Sequence, residues 1–284
     1  MAGQITAIRK RLQSVNSTRK LTKATELVAT VKLQKYEYKT RVNAEYAKNL
    51  KDFIRAAMGG HRVEEETNPY LTLSDVDNPL HIIIGANSGL CGSYSHDLLK
   101  YVEENIPKNG PVFAIGTIAF NWLMDHGYLV VKKYDELEDL QPRVLNSLFN
   151  DIMMLYAHNE ISEISVVYTE YINTLTYRPV TLKLLPLEFG EDIEEQNEIF
   201  LEPSRDDVLN TLIPMYVSSQ IYVAFLEAKT SENAARRNAM NLANKNAEKL
   251  IGELQLNYNK ARQAAVTQEM NEIVASVRKE RKES

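Results

Sequence analysis

From Gln4 to about Met58 the chain has neither proline nor glycine, and its apolar positions recur at helical spacing. Ile5, Ile8, Leu12 and Val15 step by 3, 4 and 3, and Leu21, Ala24, Val28 and Val31 repeat that series. Each set falls on one stripe of a helix. The six residues from Val15 to Leu21 interrupt the series, so the pattern predicts a helix whose seam slips phase once without ending. At about 1.5 Å per residue such a helix reaches roughly 80 Å. The far end of the chain mirrors it. After Pro214 no proline follows and Gly252 is the only glycine. Apolar and small residues recur at three- and four-residue steps there: Ala239, Leu242 and Asn246 on one line, and Ala235, Ala243, Ala247, Leu250, Leu254, Tyr258, Ala261 and Ala265 on another. Helices in compact domains average about 11–12 residues, so two of this length cannot hide their stripes separately. Pairing them as an antiparallel coiled coil is the economical solution.

The middle of the chain follows a different rule. His81–Gly85, Val112–Ile115, Leu129–Tyr134, Ile164–Tyr168 and Val180–Leu184 read as strands. Helical patterns near 95–105, 117–126 and 143–158 separate the first four. Strand–helix alternation at this spacing predicts βαβ units and a mostly parallel sheet. Gly85, Gly110-Pro111, Gly116, Gly127, Pro142 and Pro179 punctuate the junctions. The acidic, poorly patterned stretch from Gly190 to Glu202 reads as a loop back to the second long helix. The fold class is therefore α/β: an α/β domain over residues 61–204, inserted between coiled-coil helices at 1–60 and 205–284.

Charge sharpens this division. Residues 1–60 carry 13 Lys and Arg against 4 Asp and Glu, residues 61–204 carry 8 against 24, and residues 205–284 carry 12 against 10. The net −5 thus conceals a basic first helix, which suits an acidic partner, whether protein or nucleic acid. No run approaches the roughly 18 uninterrupted apolar residues of a membrane-spanning helix. The first residues carry charges every few positions, unlike a secretory leader. The single cysteine, Cys91, excludes an internal disulfide framework and points to a reducing compartment.

Chemical motifs are sparse. GANSGLCG at 85–92 follows a strand and precedes a helix, where phosphate loops occur, but its glycines fit neither G-x-G-x-x-G nor G-x-x-x-x-G-K-[ST]. It reads first as a tight turn. Cys91 has no histidine nearby in sequence to serve as a base, which favours a buried small residue. His61, His81, His96, His126 and His158 show no metal-ligand spacing. The clusters Glu64–Glu66 and Asp135–Asp139 read as solvated loops. No catalytic, cofactor or metal residue is assigned. The polar residues of the last helix stand out more. Arg236, Arg262, Gln263, Thr267 and Glu269 lie in stretches otherwise suited to packing, and Arg262 and Glu269, seven apart, share a face. They read either as a hydrated surface or as a recognition strip for a partner protein.

Three stretches carry a resemblance: ITAIRKRLQSVNSTRKLTKATELVATVKL near the start, SGLCGSY after the first strand, and SENAARRNAMNLANKNAEKLIGELQLNYNKARQAAVTQEMNEIV near the end. With the layout of long helix, α/β insert and long helix, the chain resembles the γ subunits of F-type ATP synthases along nearly its whole length. The resemblance implies a central rotor shaft inside a hexamer of α and β subunits. It implies a Rossmann-like foot held with an ε subunit against a membrane ring of c subunits, on the cytoplasmic face of a bacterial plasma membrane. It implies β-subunit contacts for Lys20, Lys23, Arg236, Arg262, Gln263, Thr267 and Glu269, and a place near the c-ring for Glu202. The chain departs from the family pattern at Asn87-Ser88, Thr25, Leu27 and the charged end RKERKES. The expected role is mechanical and non-catalytic: an asymmetric shaft presents different faces to identical β subunits, and only such a differential interaction shifts nucleotide affinity. The alternatives are a γ-like shaft driving a load other than an ion ring, a nucleotide-binding α/β enzyme with coiled-coil arms, and a nucleic-acid clamp. The last is disfavoured by the few aromatics among the basic positions.

Overall fold

A computed structural model describes residues 2–58, 70–71, 76–134, 142–187, 201–202 and 204–283. The clusters Glu64–Glu66 and Asp135–Asp139, His61, and all but the last two residues of the 190–202 stretch lie outside them. The elements are α1 (Ala2–Met58), β1 (Pro79–Ile84), α2 (Tyr94–Asn105), β2 (Pro111–Ile115), α3 (Thr117–Asp125), β3 (Leu129–Tyr134), α4 (Pro142–Ala157), β4 (Glu163–Tyr171), β5 (Tyr177–Leu185) and α5 (Arg205–Glu283). They form two compact units. One joins Met1–Val28 to Arg237–Ser284; the other is Ala29–Arg236.

In the first unit the two helices run antiparallel, because rising positions on α1 meet falling positions on α5. Arg19 pairs with Glu248, Thr22 with Asn244, and Glu26 with Asn241 and Asn244. The seam on α1 corrects the sequence reading. Leu21, Val28 and Val31 are 67%, 54% and 66% exposed, so they do not form it. Alternating steps of 3 and 4 lead instead from Ile5, Ile8, Leu12 and Val15 to Arg19, Thr22 and Glu26, then through Ala29, Leu33 and Tyr36 to Ile54. The heptad never slips. Polar residues occupy five of its positions, Arg19, Thr22, Glu26, Thr40 and Asn43, and the apolar series beginning at Leu21 lies on another face. On α5 the same rhythm runs through Met240, Asn244, Ala247, Ile251, Leu254, Tyr258, Ala261 and Ala265, while Leu242 and Leu250 face outward.

The second unit is built on a five-stranded sheet of order β3-β2-β1-β4-β5. β1 pairs in parallel with β2 and β4, and β2 with β3; β5 is antiparallel to β4. Alternation along β1 sends Leu80, Ile82 and Ile84 into one core layer and Ile83 into the other. α2 and α3 cover the second layer through Leu98, Val102 and Leu123. The first layer is covered by α4 and by segments of α1 and α5, through Leu148, Ile152, Ile54, Ile213, Ile221 and Phe225. This burial accounts for part of the apolarity of α5, a helix long and apolar enough to cross a membrane. Ser204 caps the start of α5: Asp207 N–H donates to Ser204 Oγ at 3.2 Å, and Ser204 Oγ donates to Asp207 Oδ2. Pro214 lies inside the helix.

Two glycines fix the approach of β1 to α3. A Cβ on Gly85 would stand 2.6 Å from the Ala119 Cβ. Gly116 has φ +98° and would carry a Cβ 2.5 Å from the Gly85 carbonyl oxygen. Gly85→Ala is expected to cost about 2 kcal/mol, and adding Ala119→Gly to restore about half of it, the helix penalty of about 1 kcal/mol taking the rest. Thermal unfolding of the single and double variants checks this; a double variant no more stable than Gly85→Ala contradicts the contact.

Candidate functional site

The strand order reverses between β1 and β4, and open α/β sheets take ligands in the crevice outside the carboxyl ends of such strands. Here the chain fills that crevice itself. The β1–α2 loop, 85–93, lies across it, with Asn87 Oδ1 accepting from Thr117 N–H at 2.9 Å. That bond caps α3, whose own N-cap, Gly116, has no side chain to do so. α5 lies against the loop and the end of β4. Tyr94 Oη donates to the Ala228 carbonyl at 3.1 Å, and Ser231 Oγ donates to the Thr169 carbonyl at 3.1 Å. Ala86, Cys91, Tyr94 and Ala235 pack together beneath. Cys91 is buried as a small residue, its Sγ within 3.9 Å of the Ser88 carbonyl. GANSGLCG is therefore a turn that docks a helix. Among the described residues no cluster of His, Cys, Asp and Glu is suited to hold a metal ion.

The polar groups on this stretch of α5 are buried. Glu232 Oε2 meets Lys229 Nζ at 2.6 Å and Glu232 Oε1 meets Arg236 Nη2 at 2.6 Å. Burial pushes the Glu232 carboxyl up, but the two cations outweigh it and hold the group below the ordinary carboxylate range. Arg236 Nη2 also faces the Ser88 carbonyl at 3.1 Å, Ser88 Oγ at 3.2 Å and the Gly89 carbonyl at 3.3 Å. Arg236 thus stands inside its own chain's network. Glu227 differs from Glu232. Burial raises its pKa to about 7, Glu170 adds to the rise, and the hydrogen bond from Tyr168 lowers it only in part. Its Oε2 is buried without a hydrogen-bond partner.

The other sequence-derived positions are exposed. Lys20 and Lys23 lie on α1, and Arg262, Gln263, Thr267 and Glu269 on the last part of α5, all in the first unit. By the pairing of Arg19 with Glu248 and Thr22 with Asn244, the lysines are level with residues near 244–248. Arg262 begins some fifteen residues further on, about 22 Å along the helix. The strip is thus two groups at two heights. Thr267 Oγ1 donates back to the Gln263 carbonyl at 2.9 Å, and Lys23 Nζ reaches Glu26 Oε2 at 3.1 Å. Glu202 is exposed just before α5.

Sequence reasoning missed the polar knot beneath Lys23. Glu26 is buried, and its carboxylate accepts from Asn244 Nδ2 at 2.6 Å and Asn241 Nδ2 at 3.2 Å. Asn244 Oδ1 in turn accepts from Thr22 Oγ1. Burial alone would raise the Glu26 pKa; the bonds from Asn241, Lys23 and Asn244 bring it below its usual value. The signal was available. Carrying the 3-4 rhythm forward from Val15, whatever the polarity of the next residues, lands on Arg19, Thr22 and Glu26. The Lys229–Glu232–Arg236 network was missed as well, save Arg236 itself.

Comparison with known proteins bears on the whole chain. A family model described as ATP synthase matches residues 4–278. The ATP synthase gamma chain of Desulforamulus reducens is 35% identical over 275 residues, covering 94% of this chain and 95% of the relative. That of Lachnoclostridium phytofermentans is 35% identical over 288 residues, covering 94% and 96%. Among solved structures, a chain of the Euglena gracilis mitochondrial ATP synthase OSCP/F1/c-ring assembly aligns with a TM-score of 0.70 at 17% identity, covering 98% of this chain and 94% of that one. A chain of the rotor of the same enzyme aligns at 0.67, also at 17% identity, covering 94% and 100%.

Glu227 generates a pH prediction. Its folded pKa of about 7 lies above the unfolded value of about 4.3, so its contribution is fully present below the lower value and is lost as pH rises through the higher one. Glu227→Gln removes that loss. The variant is expected to gain stability relative to the parent between pH 5 and pH 8, by on the order of 2 kcal/mol. Thermal unfolding across that range checks it; a difference independent of pH contradicts it.

Proposed function

This chain belongs to the ATP synthase gamma chain family and is a non-catalytic rotor subunit of the central stalk, and we propose that it couples through the two exposed groups of its first unit. In this reading Lys20 and Lys23 on α1, and Arg262, Gln263, Thr267 and Glu269 on α5, meet the surrounding α and β subunits. Glu202 lies on the side that meets the c-ring, with an ε subunit against the same domain. The protein belongs to the membrane-associated F1 portion of the synthase. Its location on the cytoplasmic face of a bacterial plasma membrane is part of the proposal, supported by the bacterial relatives.

The observation that carries the coupling surface is the poor self-sufficiency of the helix pair. Its only nearly buried apolar residues are Met240 and Ala247, among the described ones. Yet it exposes Leu21, Leu27, Val28, Leu242, Leu256, Val266, Met270 and Ile273. Apolar surface of that extent, interspersed with cations, suits an enclosing protein sheath. An asymmetric rod inside such a sheath makes unequal contacts with chemically equal neighbours, and that inequality shifts their nucleotide affinities. The reading as a nucleotide-binding enzyme with coiled-coil arms is disfavoured by the crevice that α5 fills.

Two measurements follow. The proteins that co-purify with this chain are expected to include α, β, ε and c subunits; α and β joined by an unfamiliar set instead identifies a motor with another load. Arg262→Ala combined with Gln263→Ala is expected to lower coupled ATP synthesis by about tenfold while leaving the melting temperature of the free chain unchanged. Unchanged synthesis and torque contradict the assigned contacts.

A further inference from the structure

We propose that Arg236 is a positioning residue that locks α5 into the switch-point crevice through the Ser88–Gly89 turn, so that twist passes between α5 and the sheet at this point. The proposal rests on the rotor reading for its functional half, while its structural half stands alone.

Three features of the site converge on a lock. The first is the number of acceptors gathered around one nitrogen. Arg236 Nη2 has the Glu232 carboxylate at 2.6 Å and, for its second N–H to share, two loop carbonyls at 3.1 and 3.3 Å and the Ser88 hydroxyl at 3.2 Å. The second is the burial of the ionic partners, with 8% of the Lys229 side chain, 6% of Glu232 and 13% of Arg236 exposed. A charge held this deep is fixed in place, because removing Arg236 takes from the buried Glu232 carboxylate one of its two cations in a poorly solvated site. The third is the backbone next to the turn. Leu90 has φ +65° although it is not glycine and is 68% exposed. Its side chain gains little from the fold there, so the surrounding bonds must hold the left-handed conformation. The Tyr94–Ala228 bond holds the other side of the loop to the same helix.

A loop fixed at both ends to one helix, while its Asn87 caps α3, moves as part of that helix. Turning α5 therefore loads β1, α3 and the sheet through the hydrogen bonds from Arg236 and Tyr94 that join helix and loop, without requiring the apolar layer to shear. Arg236 in this role is committed inside its chain and does not serve as a direct contact to a neighbouring subunit.

The test uses the full chain, free and in its assembled complex, with Arg236→Gln, Arg236→Lys, Ser88→Ala and the double variant Arg236→Gln/Ser88→Ala. Amide hydrogen exchange of residues 86–93 is read on the free chain, and torque per complex from single-molecule ATP-driven rotation. Arg236→Gln is expected to speed loop exchange by about tenfold, and Arg236→Lys to restore part of the protection. Ser88→Ala alone is expected to speed it by roughly twofold and to add nothing in the Arg236→Gln background. Single rotating complexes of Arg236→Gln are expected to show reduced torque at an ATP turnover close to the parent's. Loop exchange unchanged in Arg236→Gln, or additive effects of the two substitutions, overturns the lock. Restored exchange protection in Arg236→Lys with no recovery of torque overturns its mechanical role. Ser88→Ala, which deletes one hydroxyl, keeps the lock testable if the arginine variants fold poorly. The expected exchange effects on the free chain, with complexes of the parent chain that hydrolyse ATP without rotating, would instead remove the rotor reading.

Discussion

A buried carboxylate sets the register of the helix pair. Apolar seams built from alanine and half-buried leucine and tyrosine tolerate sliding by a heptad, since one alanine packs much like the next. Glu26 does not tolerate it. Its carboxylate takes the amides of Asn241 and Asn244 from the facing helix, and Asn244 is oriented by Thr22, so a displaced register strips a buried charge of its cross-helix donors and leaves it only partners on its own helix, such as Lys23. The more exposed Arg19–Glu248 pair adds little by comparison, because water competes for both groups. A specific polar knot inside a weak apolar seam gives one arrangement without demanding a large core, which suits a rod whose outer surface is reserved for neighbours.

The same division appears in the sheet. Its two apolar layers supply stability, one through Ile82, Ile84, Phe113, Val166 and Phe225 and the other through Ile83, Val112 and Val167, while the crevice that such sheets offer to ligands is occupied by α5. The fold has kept the architecture and given up the cavity. What the β1–α2 loop binds is a helix of its own chain, held by Arg236 and Tyr94. Function therefore resides in surfaces and in how firmly elements are tied, with no reacting group of the chain required.

Much of this was legible in the sequence, for definite reasons. Val112–Ile115 stands as a strand because a compact apolar run between Gly110-Pro111 and Gly116 leaves few other choices. The long helices follow from the missing proline and glycine. The seam of α1 was misread at Leu21, Ala24, Val28 and Val31, because hydrophobicity was taken as the mark of burial. In a surface destined for an enclosing partner, apolar residues face out, and polar residues that satisfy one another can face in. The Lys229–Glu232–Arg236 network was beyond the sequence for another cause: its meaning depends on Ser88 and Gly89, some 150 residues away, brought close only by the sheet.

The central claim is that the two terminal segments act as one rod in one register. Thr22→Cys paired with Asn244→Cys, in a Cys91→Ser background, places two thiols where short side chains already meet. ATP-driven rotation of single assembled complexes, measured before and after oxidation, tests the claim directly. A rod in fixed register cross-links readily and keeps turning with undiminished torque. Rotation that stops on oxidation and resumes on reduction would show that the helices slide past each other during turnover, and would contradict the account.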